Sequence, residues 1–362
     1  MGSTESSLNP RPEKTARGAG SNPPNRFAKL SVDLEPEALL DEDGEPLPTR
    51  TQFLRDDTQS IISWNDSPDI GFDAGLNPYR GCEHGCAYCF ARPTHEYLGF
   101  SAGLEFESKI VVKENAPELL RAQLSKKSWE PQVIAMSGVT DCYQPVERRL
   151  QLTRRCLGVL AEFRNPVVII TKNHLVTRDI DHLRELAAHS AVLVNVSITT
   201  LDPELAKVLE PRASPPTRRL AAIEELTAAG VPARVLMAPM IPGLNDHEMP
   251  ALLAAAAKAG AVDAGYVPLR LPWTVAPIFA EWLERHRPGS RDKVLGRVQA
   301  MRGGKLNDPR FGSRMRGEGI FADQMRALFT IAQRKAGFRG GHPELSTAAF
   351  RVPTNQLSLF PE

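Results

Sequence analysis

The chain has 362 residues, of which 42% are hydrophobic and 24% charged, with a formal net charge of +1. That length can bury one large core, or one core with extensions, and the near-zero charge excludes a protein that attracts partners by its overall electrostatic field. No long apolar run, no secretory segment and no paired framework among the five cysteines is visible, so the reading is a cytoplasmic protein without membrane association.

In chain order, residues 1–29 are rich in Ser, Pro, Asn, Gly and Arg and nearly devoid of large apolar side chains. Such a stretch cannot bury enough surface to offset its ordering entropy, and it is expected to be a disordered tail. Residues 30–65, with the acidic run Asp41-Glu-Asp-Gly-Glu45, are expected to form an irregular arm on the core. From about Gly71 short β-branched runs alternate with amphipathic segments. The runs are 133–137, 167–171, 192–198, 233–238 and 265–270; the helical patterns cover about 146–163, 178–189, 216–229 and 247–259. Asp202-Pro203 adds a helix start, a cap residue followed by proline at the first helical position. Near-continuous apolar strands separated by helices indicate a parallel sheet covered by helices, and one more strand before Cys82 makes about six βα units. Periodicity allows either a doubly wound sheet or a partial barrel.

Where a barrel forms, chemistry sits at the carboxyl ends of its strands. Those ends carry polar residues here: Ser137-Gly-Val-Thr-Asp141, Thr171-Lys-Asn173 and Ser197-Ile-Thr199, with Pro239-Met-Ile-Pro-Gly243 and Arg270 beyond. After Pro272 the pattern turns helical and looser, over 277–286, 291–301 and 319–336. Residues 276–362 carry 15 Lys/Arg against 8 Asp/Glu. Arg302, Lys305, Arg310, Arg314 and Arg316 fall in a Gly-rich part of that extension, which suits a phosphate- or nucleic-acid-facing loop as well as a solvated face. The last residues, with Phe350 and Leu357-Ser-Leu-Phe360, are expected to dock as an extended tail.

The most specific feature is Arg80-Gly-Cys-Glu-His-Gly-Cys-Ala-Tyr-Cys-Phe90, which sets Cys82, Cys86 and Cys89 in a C-x3-C-x2-C spacing. Three thiolates on one loop can hold three irons of a [4Fe-4S] cluster and leave the fourth open to a ligand, whereas fully protein-ligated clusters take four cysteines. Gly81 and Gly85 would let the backbone wrap a compact inorganic body. A zinc site from Cys82, His84, Cys86 and Cys89 is the competing reading, strained by the placement of His84 only two residues from both Cys82 and Cys86. No other histidines show ligand spacing with one another; His95, just past the loop, suits either a substrate contact or a structural hydrogen bond.

The triplet, with Tyr88 before its last cysteine, resembles the signature of the radical S-adenosylmethionine (SAM) superfamily. Asn77-Pro-Tyr-Arg-Gly-Cys82, Ala91-Arg-Pro-Thr-His95 and Thr140-Asp-Cys-Tyr-Gln-Pro145 are similar to the branch related to spore photoproduct lyase, and the likeness runs from about Asp66 to the C-terminal Phe360. The resemblance implies a partial (β/α)6 TIM-like barrel over residues 66–275, with a mainly helical, basic C-terminal extension over 276–362. It implies one [4Fe-4S] cluster on Cys82, Cys86 and Cys89, SAM chelated by the open iron, and reductive cleavage to a 5′-deoxyadenosyl radical that abstracts a hydrogen atom. It also implies a flavodoxin- or ferredoxin-type reductant and points to a nucleic-acid lesion as substrate.

Carried over residue by residue, Tyr88 should lie near the adenine, and Lys172 and Ser197 match residues that contact SAM. Thr199 shares the strand end of Ser197. The segment Ser137-Gly-Val-Thr-Asp141 occupies the place of the superfamily's Gly-Gly-Glu motif, which this chain lacks, and within it Thr140 and Asp141 are assigned the SAM amino group. Cys142 is the candidate hydrogen-atom donor, although it does not hold the local motif position of the lyase cysteine with that role; a small buried residue is the alternative. Two other functions fit the same residues: a zinc-stabilised nucleic-acid-binding protein, and an iron–sulfur sensor or electron carrier without SAM chemistry.

Overall fold

The computed structural model describes residues 17–28, 50–341 and 343–353. Strands β1 (Gln52–Arg55) and β2 (Ile62–Trp64) precede β3 (Ala74–Leu76) and β4 (Tyr79–Arg80). The cysteine loop follows, then helix α1 (Leu104–Ser108), β5 (Lys109–Val112) and α2 (Ala116–Leu124). The chain then alternates: β6 (Ile134–Met136), α3 (Glu147–Leu150), α4 (Leu152–Phe163), β7 (Val167–Thr171), α5 (Ile180–Ala187), β8 (Val192–Ser197), α6 (Pro203–Leu209), α7 (Pro216–Ala228), β9 (Ala233–Met240), α8 (Met249–Lys258) and β10 (Asp263–Pro268). Helices α9 (Val275–His286), α10 (Arg291–Ala300), α11 (Ser313–Arg316) and α12 (Ile320–Lys335) complete it.

Six strands, in the order β10-β9-β8-β7-β6-β3, run parallel, and β2 adds an antiparallel edge beside β3. The sheet remains open, as a partial barrel requires, and its parallel strands read as β-branched runs because helices cover them. All six residues of β8 are buried. Leu76, Met136, Ile169, Val194 and Val235 from the strands meet Leu160, Leu183, Ile223 and Leu252 from the helices in one apolar core. Each such side chain contributes about 1.5–3 kcal/mol by leaving water. The Asp202 side chain accepts from Glu204 N at 2.9 Å, and Pro203 opens α6, as the sequence indicates. The expected helix at 146–163 is two helices, because Gln151 takes a left-handed conformation between them.

Two expectations need correction. The stretch 50–65 is not irregular: β1 pairs in parallel with β5, β4 completes that small sheet, and β2 joins the main one. Residues 17–28 are not disordered. Small residues let them lie against the body, where Ala19 is buried with Ala102, Leu104 and Ile278. The acidic run 41–45 and the terminal 357–360 lie outside the described residues, while Phe350 packs on Phe163 at 6.2 Å between ring centroids.

Candidate functional site

The cysteine loop begins where β4 ends, beside the carboxyl ends of the parallel strands. Cys82 N donates to Phe106 O at 2.9 Å and Ala87 N to Leu209 O at 3.1 Å, so the loop is sewn to α1 and α6. Cys86, Ala87 and Tyr88 pack with Leu209, Ile241, Leu269 and Trp282 in a second apolar cluster. Cys82 and Cys86 are buried and Cys89 is half-buried. Burial pushes all three thiols up; Asp141 and the other two thiols raise Cys82 further, Glu210 and Cys89 raise Cys86, and the Arg92 charge works against the rise at Cys89. Backbone N–H groups oppose this: Asp141 N–H meets the Cys82 sulfur, and those of Ala91 and Arg92 meet Cys89. Such donors stabilise thiolates, the form in which cysteine ligates metal.

The two loop glycines meet the scaffold closely. A Cβ on Gly85, which has φ +66°, would stand 2.6 Å from Glu107 Oε2, and one on Gly81, at φ +79°, 2.9 Å from Phe106 O. His84 is likewise taken by the scaffold. Its Nδ1 lies 3.3 Å from Asp141 Oδ2 and its Nε2 3.3 Å from Asn173 Nδ2. Among the described residues no three His, Cys, Asp or Glu side chains converge on a single-ion site. Zinc would need its donors within bonding distance of one ion, whereas thiolates of a cluster bind separate irons. Three thiols on one loop are the donor type a cluster takes, and the histidine that zinc would use is engaged by Asp141 and Asn173.

Facing Cys86, the strand ends gather a buried polar group. Lys172, after β7, donates from Nζ to Ser197 Oγ at 2.6 Å and to Ala238 O at 2.9 Å, and stands 3.3 Å from Glu210 Oε1. Its Nζ is 5.6 Å from the centroid of the Tyr88 ring. The Tyr88 hydroxyl bonds to Glu210 and lies 3.2 Å from Thr199 Oγ1, which itself donates to Glu210 Oε1 at 2.6 Å. Arg219 Nη2 closes the group at 2.5 Å from Glu210 Oε2. Burial alone would push the Glu210 carboxyl up, but Arg219 and Lys172, with the bonds from Thr199 and Tyr88, hold it well below the usual range. Tyr88 moves the other way, raised by burial and by the negative charge of Cys86 and Glu210.

Four of the sequence candidates, Tyr88, Lys172, Ser197 and Thr199, thus share one buried hydrogen-bonded group. Thr140 and Asp141 lie at its side with their side chains already engaged. Thr140 Oγ1 donates to Tyr79 O at 2.7 Å; Asp141 accepts from Thr171 Oγ1 at 2.8 Å, Lys172 N at 2.7 Å and Tyr143 N at 2.9 Å. Against the rise that burial causes, His84 and these N–H groups hold Asp141 below its usual value. Cys142 is fully buried in the main apolar core; its N–H donates to Ser137 Oγ at 2.6 Å and its carbonyl accepts from Thr153 Oγ1 at 2.6 Å. The position is that of a packed residue. His95 lies buried between Phe100 and Phe106, apart from that group.

Sequence reasoning missed Glu210 and Arg219. Arg219 did leave a signal: it occupies the buried stripe of α7 with Pro216, Ala222, Ile223 and Leu226, where a charge needs a partner. Glu210, just beyond α6, left none. In the basic extension, Arg302 is buried and braces Leu269 O at 2.9 Å and Arg314 O at 2.7 Å, while Arg310 pairs with Asp308 and Glu318. These two are scaffold cations. Three exposed aromatic rings carry arginine partners: Arg270 lies 4.9 Å from the Phe90 ring centroid, Arg314 4.5 Å from Phe311 and Arg26 4.6 Å from Trp273.

Comparison with known proteins agrees with this arrangement. An uncharacterized protein of Mycobacterium tuberculosis is 40% identical over 221 residues, covering 60% of this chain and 65% of that protein. One of Methanocaldococcus jannaschii is 32% identical over 173 residues, covering 48% and 62%. The chain therefore spans less than two thirds of the length of the curated relatives it matches. Spore photoproduct lyase bound to dinucleoside spore photoproduct superposes with a TM-score of 0.55 at 15% identity, over 78% of each chain. A cysteine-to-serine mutant of that lyase gives 0.56 at 15% identity, over 86% of this chain and 84% of the other. These structures share the fold, a partial TIM-like barrel with a helical C-terminal part. The family model described as the radical SAM superfamily matches residues 76–256, half of the sequence. With the cysteine triplet inside that match, the chain belongs to the radical SAM superfamily.

Proposed function

We propose that this protein is a SAM-cleaving radical enzyme with one [4Fe-4S] cluster on Cys82, Cys86 and Cys89. The observation that carries the reading is the buried polar group of Lys172, Ser197, Thr199, Tyr88 and Glu210, whose charges act on Cys86 and, through Lys172, on Cys89. When bound, the cluster and SAM would supply reductive cleavage to a 5′-deoxyadenosyl radical, chemistry that belongs to the cofactors. The chain binds, orients and excludes water. Lys172 offers a cation for the SAM carboxylate, Glu210 an acceptor for its amino group, and Ser197 and Thr199 hydroxyls for the ribose. Glu210 joins Thr140 and Asp141 as a candidate for the amino group; all three already hold partners within the chain that SAM would have to share or replace.

For the substrate we infer a nucleic-acid lesion. The exposed Phe90, Phe311 and Trp273 offer ring faces for bases, and each is paired with an arginine. Burial, with Arg314 and Arg302 alongside, pushes the Arg270 guanidinium down to about 10, so an anion beside Arg270 would relieve crowded positive charge. A small flavodoxin- or ferredoxin-type reductant in the cytoplasm would complete the system. No helix among the described residues is long and apolar enough to cross a membrane.

The test is anaerobic reconstitution, reduction with dithionite and addition of SAM, with a Cys82/Cys86/Cys89→Ala control. Iron and sulfide in the wild type, and 5′-deoxyadenosine from wild type alone, are expected. Zinc without sulfide would end this reading. Iron and sulfide without nucleoside would favour a sensor or electron carrier. Loss of single-stranded oligonucleotide binding in Arg270→Ala, with nucleoside formation intact, would place the substrate beside Arg270.

A further inference from the structure

Behind the cysteine loop, away from the polar group, Arg92 is wholly buried. Its guanidinium donates to Cys86 O at 2.8 Å, Gly85 O at 3.3 Å, Ala102 O at 3.1 Å and Gly103 O at 3.0 Å, so one side chain fixes the path of the loop. Its charge is balanced by Glu107, 2.5 Å away and also wholly buried. Two buried charges at this distance are stable only when their remaining hydrogen-bonding capacity is filled. The filling comes from far away in sequence. Gly18 N donates to Glu107 Oε2 at 3.1 Å, Ala19 N to Glu107 Oε1 at 2.8 Å, and Arg17 Nη1 to Glu107 O at 2.6 Å.

From there the segment continues as a strap along the same side. Ser21 O accepts from Leu104 N at 3.2 Å, Asn22 Oδ1 from Glu105 N at 2.9 Å and Pro23 O from Ser101 Oγ at 2.7 Å. Asn25 Nδ2 reaches Glu96 O at 2.8 Å and Phe100 O at 3.0 Å, and Arg26 Nε meets Glu96 Oε2 at 2.7 Å. The fit admits no side chain at two points where the strap meets main chain. A Cβ on Gly18 would lie 1.7 Å from Gly85 O, a residue of the cysteine loop itself, and a Cβ on Gly103 would lie 2.0 Å from Ser21 O.

We propose that the strap 17–26 is part of the cluster cradle, and that Glu107 is the positioning residue through which it acts on the thiol-bearing loop. The strap satisfies Glu107, Glu107 fixes Arg92, and Arg92 holds the carbonyls of Gly85 and Cys86 and so the direction of the Cys86 and Cys89 thiols. Outer partners of metal ligands set affinity and ligand orientation in this way. The inference rests on the cluster reading of the three cysteines.

The test uses the full chain as wild type, Gly18→Ala and Glu107→Gln, reconstituted anaerobically. Trypsin cleavage after Arg26 reports whether the strap is docked, and the thermal melt of the apoprotein reports whether the body is folded. The cluster is read by iron and sulfide content, by its rate of loss to an iron chelator, and by the electron paramagnetic resonance line shape after reduction. In both variants, cluster loss about 10-fold or more faster and an altered line shape are expected, with the body still folded. Glu107→Gln keeps an acceptor for Arg92 and serves if Gly18→Ala does not fold. A released strap with the wild-type spectrum and loss rate overturns the proposal, as does a strap that stays docked in Gly18→Ala. A wild type without iron and sulfide defeats the cluster reading itself, a result distinct from either.

Discussion

Two buried arginine–glutamate pairs flank the cysteine loop, Arg92–Glu107 on the strap side and Arg219–Glu210 on the sheet side. Both place opposite charges 2.5 Å apart in a dry setting. They differ in what completes them. Around Arg92 and Glu107 the further partners are main-chain groups of Gly18, Ala19, Gly85, Cys86, Ala102 and Gly103, each fixed by the fold. Around Arg219 and Glu210 the further partners are mainly side chains that can turn: Lys172, Tyr88, Thr199 and, through Lys172, Ser197. A pair completed by backbone is a brace. A pair completed by an ammonium and hydroxyls is a store of donors and acceptors that a polar ligand can re-partner without leaving a charge bare.

The sharpest way to break this contrast is to remove the brace. Arg92→Met leaves Glu107 buried without its cation and strips donors from four carbonyls. Breaking one side of a buried pair costs about 3–5 kcal/mol, and urea unfolding of the apoprotein should show a loss of that order. A loss under about 1 kcal/mol would mean that the strap-side pair is not a brace.

Dryness on that side has its own signature. His95 packs beside the loop against Phe106, and burial pushes its pKa down from 6.5 to about 4, despite the nearby Glu105. Between those values the unfolded chain takes up a proton that the folded chain refuses. This contribution is therefore complete above pH 6.5 and falls away as the pH drops towards 4, about 3 kcal/mol in all. Denaturation curves of wild type and His95→Gln across this range should differ in slope, the variant being flatter. Parallel curves would show that water reaches the ring.

The contrast also explains what could be read in the sequence. Strand runs such as Val167–Thr171 and Val192–Ser197 announce themselves by composition, and Lys172, Ser197 and Thr199 follow because a parallel sheet delivers its strand ends to one rim. Cys82, Cys86 and Cys89 were legible from local spacing alone. The brace was not. Gly18, Glu107 and Arg92 are joined by long-range hydrogen bonds, and a stretch poor in large apolar residues gave no sign that backbone N–H groups would be its anchor. Glu210 was hidden for the same reason, whereas Arg219, a cation in the buried stripe of α7, was readable and overlooked.

The smallest predicted change is the most specific to the sheet side. In Lys172→Met the aliphatic stem is kept and the ammonium lost. Glu210 still holds Arg219, Tyr88 and Thr199, so the fold should lose little. A SAM carboxylate, by contrast, would lose a charge-assisted bond of about 1.5–3 kcal/mol, or roughly 10- to 100-fold in affinity. Titration of reconstituted protein with SAM measures that ratio, and the apoprotein melt measures the fold. Weakened binding with an unchanged melt is the mark of a side chain held for a ligand. A lowered melt with unchanged affinity would instead make Lys172 a second brace, and the two sides of the loop would then be alike.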